Sequence, residues 1–96
     1  MPNYVVLVNW TAEGVKAVKQ SPERAEAFRK AVDKAGGKVL SWLHTMGAYD
    51  MVVALELPSD EVANQLAIRT GMQGFVRTTT LKGWTASEFA ELVRKL

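Results

Sequence analysis

Apolar and polar positions change period along this chain, and each change marks an element. Residues 4–10, rich in β-branched and aromatic side chains, predict a strand. Thr11 is placed to cap a short helix from about residue 12 to 18, which Gly14 weakens. Ser21-Pro22 is a better start signal, with Ser at the N-cap and Pro at the first helical position. Ala25, Phe28, Val32 and Ala35 then recur at helical spacing until Gly36-Gly37 ends the run. Residues 38–45 and 49–57 read as two strands around Gly47-Ala48, a two-residue turn with Gly at its first central position. Pro58 stops the second of them. Ser59 caps the next helix, with Asp60 and Glu61 where the helix dipole favours them and Val62, Ala63 and Leu66 on its inner face. That helix fails near Gly71 or Gly74, and residues 75–81 form a fourth strand. Thr85-Ala86-Ser87-Glu88 is a capping box, followed by Phe89, Leu92, Val93 and Leu96 on one stripe.

The order is β-α-β-β-α-β plus a C-terminal helix, an α+β chain of the ferredoxin-like kind. Its antiparallel four-stranded sheet takes the order 4-1-3-2, with both crossover helices on one face. Tyr4, Val6, Val8 and Trp10 share one face of the first strand, and Val5, Leu7 and Asn9 share the other. In the third strand Tyr49, Met51, Val53, Leu55 and Leu57 oppose Asp50, Val52, Ala54 and Glu56. Helices cover one face only. On the other, each large apolar side chain left in water forgoes about 1.5–3 kcal/mol of burial. A second copy packing sheet to sheet, as in a dimeric α/β barrel, is the expected solution. The C-terminal helix folding back over that face is the alternative, although one short helix covers only part of four strands.

Ninety-six residues make one domain, expected to span residues 1–96. With no cysteine there is no disulfide, thiolate nucleophile or Cys-based zinc site. The formal charge is +2 and the basic residues are scattered, so no nucleic-acid partner is expected. The first residues have neither the basic nor the apolar region of a signal peptide, and no apolar run is long enough to span a bilayer. A cytoplasmic address without membrane contact follows by default.

Several segments resemble a known family: Asn9-Trp10-Thr11 with Gly14, Ser21-Pro22-Glu23-Arg24, Gly36-Gly37, and Thr45-Met46-Gly47-Ala48-Tyr49-Asp50. Together they are similar to the GYD domain family over nearly the whole chain, the hairpin being the most specific part. The resemblance implies a small bacterial or archaeal domain of this fold and supplies no activity. The second half, through Gly47-Ala48-Tyr49-Asp50 and Gly74-Phe75-Val76-Arg77-Thr78-Thr79-Thr80, also resembles the ligand-binding domain of the feast/famine transcription regulators. Those are dimeric α/β barrels that bind amino acids between subunits. This chain has no room for their N-terminal helix-turn-helix, which argues against direct DNA reading.

The residues that can carry chemistry are few. Asp50 is suited to receive an amine or act as a base, with Tyr49 bounding a pocket; equally, an Asp beside a turn accepts backbone N–H groups. His44, the one histidine, opposes Met51 and shares a face with Trp42 if Gly47-Ala48 is a two-residue loop. A loop one residue longer puts His44 across from Asp50, where the pair is suited to proton transfer. Trp10, Trp42 and Trp84 fit a core, an interface or a pocket lining. Asn9, Glu56 and Arg77 are polar groups in a largely apolar sheet and need partners across an interface or in a pocket. Thr78, Thr79 and Thr80 need no explanation beyond strand propensity. Gly36-Gly37 follows a helix and so is no phosphate cradle, and one His with Asp50 and Glu56 is too little for a metal. No cofactor is expected.

The leading expectation is a non-enzymatic homodimer that binds a small ligand or another protein through Trp42, His44, Tyr49, Asp50, Asn9 and Arg77. A small cofactor-free enzyme, monooxygenase- or isomerase-like with His44 and Asp50 as catalytic groups, is the alternative. That alternative requires a cavity between sheet and helices into which His44, Tyr49 or Asp50 points.

Overall fold

A computed structural model describes residues Met1–Leu96. Its strands are β1 (Asn3–Trp10), β2 (Lys38–His44), β3 (Met51–Glu56) and β4 (Val76–Gly83). Its helices are α1 (Ala12–Lys16), α2 (Ser21–Lys34), α3 (Asp60–Met72) and α4 (Ala86–Arg94). The strands form one antiparallel sheet in the order β2-β3-β1-β4, which is the expected order read from the other edge. The two most apolar strands are central, where both of their edges are hydrogen-bonded.

Period-two alternation sorts the sheet into an inner and an outer face. Tyr4, Val53 and Leu55 on the inner face meet Val32 of α2 and Ala63 and Leu66 of α3, with Leu57 closing the cluster. Tyr4 is pinned further: its hydroxyl donates to Asp60 Oδ1 at 2.5 Å, and Lys82 Nζ lies 3.0 Å from the same oxygen. Burial first, then this hydrogen bond to a carboxylate, pushes the Tyr4 pKa up to about 12. The Tyr4 and Lys82 contacts, in that order, hold the Asp60 carboxyl below its usual range.

Two local details depart from the sequence expectations. Ser21 is the first residue of α2 rather than its cap, because a 3-10 turn at Val18–Gln20 runs straight into the helix. The hairpin loop is wider than two residues, spanning 45–50 between the strand ends. Thr45 Oγ1 donates to the Tyr49 carbonyl at 2.5 Å, while the Asp50 N–H is drawn to the Val8 carbonyl at 2.8 Å. One cross-strand bond still follows the β2–β3 ladder, from the Thr45 N–H to the Asp50 carbonyl at 2.9 Å, while the Asp50 N–H turns to β1. Gly47, at φ +104°, sits in the left-handed region that its lack of a Cβ permits. The register is nonetheless the one a two-residue loop would set: His44 faces Met51 and Trp42 faces Val53, with a bulge between Val39 and Ser41.

The expected capping box forms at α4, where Thr85 Oγ1 accepts from the Glu88 N–H and Glu88 Oε1 accepts from the Thr85 N–H at 2.8 Å. The Thr85 backbone N–H first, then the Thr85 side chain, hold the Glu88 carboxyl below its usual range. Asn3 Nδ2 reaches the same Glu88 oxygen at 3.3 Å. Beyond that tether α4 is not packed on the sheet, and none of its residues is buried. No helix is long and apolar enough to cross a membrane.

Candidate functional site

Helices α2 and α3 run antiparallel over the inner face. The first half of α2 and the second half of α3 flank a cleft of about 330 Å³. Its floor is Val6, Val8 and Trp10 of β1 with Met51 and Val53 of β3, and its walls include Phe28 and Leu66. Most of the lining is apolar because the floor is the same alternating face that makes the core further along.

The polar groups in the lining are unevenly signed. Arg24 from α2, Arg69 from α3 and His44 from β2 all contribute, and no aspartate or glutamate does. Arg24 is placed by two contacts: Nη1 donates to the Ala17 carbonyl at 3.2 Å, and the guanidinium lies 4.2 Å from the Phe75 ring centroid. Its Nη2 is buried without a hydrogen-bond partner. Trp42 packs edge-on against Phe28, with centroids 5.8 Å apart and planes at 82°, and its Nε1 is likewise buried and unpaired. A buried donor left without an acceptor costs about 1–3 kcal/mol, so two in one lining is an unusual arrangement for a finished core.

The candidates named from the sequence separate into four places. Trp42, His44 and Trp10 line the cleft. Tyr49 and Asp50 do not: Asp50 Oδ2 accepts the Trp10 backbone N–H at 2.9 Å, closing the end of the β1–β3 ladder, and Tyr49 lies at the surface. His44 and Asp50 are therefore not paired, and the cleft holds no carboxylate to orient the imidazole. Asn9 and Arg77 face each other across β1 and β4 on the outer face, away from the cleft. Glu56 is on that face too, at its opposite end. Trp84 is exposed ahead of α4. No three His, Asp or Glu side chains gather closely enough to ligate a metal ion.

Arg24 was not among the sequence candidates, yet it is the most distinctive polar group of the cleft. One signal for it was readable. Arg24 precedes Phe28 by four residues and so shares its helix face, putting a guanidinium on an apolar stripe.

The segments that looked most specific in the sequence meet at the Trp10 end of the sheet. Thr11 Oγ1 donates to the Gly74 carbonyl at 2.6 Å and accepts from the Gly14 N–H at 3.1 Å. A Cβ on Gly14 would lie 1.9 Å from the Phe75 carbonyl oxygen, so α1 can lie this close to the start of β4 only with glycine there. The GYD domain matches residues 4–93, almost the full length. The chain belongs to the GYD domain family. Within this GYD domain, the Gly47–Asp50 segment is a structural clasp on β1. A relative from Thermus thermophilus, named glutamine synthetase and cystathionine beta-lyase binding protein, is 26% identical over 97 residues, 100% of this chain and 99% of that protein. The crystal structure of TTHA0845 from the same organism superposes with a TM-score of 0.55 at 22% identity, covering 90% of this chain and 96% of that one. At that identity the likeness speaks to the fold alone.

Proposed function

We propose that this GYD domain is a non-enzymatic binding module that works as a homodimer, built by packing the outer faces of two sheets. The observation that carries the reading is the layout of that face. Val5 and Leu7 of β1, Val52 and Ala54 of β3, Leu43 of β2 and Leu81 of β4 form one apolar band across all four strands. Polar residues bound it at both ends, with Asn9 and Arg77 on one side and Asn3, Glu56 and Lys38 on the other. An apolar centre inside a polar rim is the anatomy of a protein interface. Leu43 and Leu81 are 61% and 48% exposed in the single chain, and no helix covers them.

Helix α4 supports the same reading. Phe89, Leu92, Val93 and Leu96 are all exposed, as is Trp84 before them, so the stripe has no partner within the chain. Asn3 belongs to the outer face, and its bond to Glu88 starts α4 beside the apolar band. A second copy on that band would meet both surfaces. The name of the Thermus relative supports protein binding as the use to which such a dimer is put. A cleft lined by His44 without a carboxylate partner fits binding better than proton transfer.

Sedimentation equilibrium over a wide concentration range tests the assembly. A mass of twice the 10.6 kDa chain at micromolar concentration is the expected result. A monomer throughout that range rules the dimer out.

A further inference from the structure

We infer that the cleft between α2, α3 and the inner sheet face is a binding site for a small amphipathic carboxylate. An apolar body would lie on Val8, Met51 and Phe28, and an anionic head would be received by Arg24. The inference rests on reading the chain as a binding module and names the ligand class of its second surface, on the far side of the sheet from the dimer band.

Three observations converge on it. The volume, about 330 Å³, is at the lower end of small-molecule sites. A cavity of about 150 Å³ accommodates benzene, so this one suits a ligand of roughly a dozen non-hydrogen atoms. The charge of the lining is one-sided: Arg24 and Arg69 contribute to it with no opposing Asp or Glu, which favours an anion and disfavours an amine. Finally, Arg24 Nη2 is a buried donor lacking an acceptor, on a side chain that lines the cleft. A carboxylate is acceptor-only, so it satisfies a guanidinium donor without bringing one of its own. Phosphate esters share the charge, but their strong hydration suits a wetter site than these walls provide.

The test compares phenylbutyrate, which has about a dozen non-hydrogen atoms, with phenylbutanol, its uncharged counterpart of nearly equal shape. Titration calorimetry at neutral pH gives the affinities, and the Trp42 indole N–H resonance, assigned with Trp42→Phe, reports the place. Phenylbutyrate is expected to bind at least about tenfold more tightly than the alcohol and to move that resonance. Arg24→Gln should abolish the preference while leaving weak binding of both. Equal affinity of acid and alcohol, binding of neither, or binding that leaves the Trp42 resonance unmoved overturns the site. The wild-type comparison decides the matter even if Arg24→Gln fails to fold. Sedimentation of the same samples separates the two readings: a dimer without acid preference sinks the site alone, and a monomer that prefers the acid sinks the dimer alone.

Discussion

The carboxylate of Asp50 accepts the backbone N–H of Trp10 across the open end of the β1–β3 ladder, at 2.9 Å. The two residues lie forty positions apart in the chain, and the bond joins them. Asp50 thus stands where Asn9 and Trp10 leave the sheet for α1, and it replaces a ladder bond that the hairpin loop cannot make. Asp50→Ala is expected to destabilise the fold by about 1.5–3 kcal/mol, the worth of a hydrogen bond to a charged group. Urea unfolding followed by circular dichroism measures this, and a change below a few tenths of a kcal/mol would contradict the role.

Glycines 14 and 71 should respond to alanine in opposite directions. At Gly14 the new methyl meets the Phe75 carbonyl at 1.9 Å, so α1 must move and a loss of about 1–3 kcal/mol is expected. At Gly71, inside α3, nothing lies within 4 Å of the added Cβ, so Gly71→Ala should gain up to about 1 kcal/mol from backbone entropy alone. Paired thermal melts of the two variants test the contrast.

Stability should fall at both ends of the pH scale through the same cluster. The Asp60 pKa is lowered in the folded state, so its contribution is complete above its unfolded value of 3.8 and is lost as pH falls through the lowered one. The Tyr4 pKa is raised from 10.0 to about 12, so its contribution is complete below 10.0 and is lost as pH rises toward 12. Asp60→Asn should flatten the acid limb, and Tyr4→Phe the alkaline one. Denaturant midpoints collected against pH show both.

Leu43 and Leu81 sit on the two edge strands at opposite sides of the outer band, and neither contributes to the core. Leu43→Asp with Leu81→Asp should therefore convert a dimer to a monomer while leaving the far-ultraviolet circular dichroism of the sheet largely intact. Loss of the fold together with the dimer would show that the chain cannot stand without its partner. Persistence of the dimer would move the interface elsewhere.

Much of this architecture was legible in the sequence because each element announces itself locally. The Thr85–Glu88 capping box, the stop at Pro58 and the alternation from Tyr4 to Trp10 depend on near neighbours alone. The site was less legible, for reasons visible in particular residues. Whether His44 faces Met51 or Asp50 turns on one residue of loop, and the deciding bonds run from Asp50 to Val8 and Trp10 on another strand. The position of Arg24 depends on Phe75, far along the chain, whose ring holds the guanidinium. Ser21 has the residue type of a helix cap, but the turn preceding it supplies a helical backbone where a cap needs an extended one. Local signals set elements; contacts between them set which polar groups share a cavity.

Helix α4 has nine residues, fewer than the dozen or so at which an isolated helix becomes even marginal in water. Its capping box lowers the cost of starting, but nothing in the chain repays the cost of continuing. Helical content in this segment is therefore a gauge of contact. At high dilution residues 86–94 should exchange their amide protons like an unstructured peptide, and protection should appear only as a second surface arrives to cover Phe89 and Leu92.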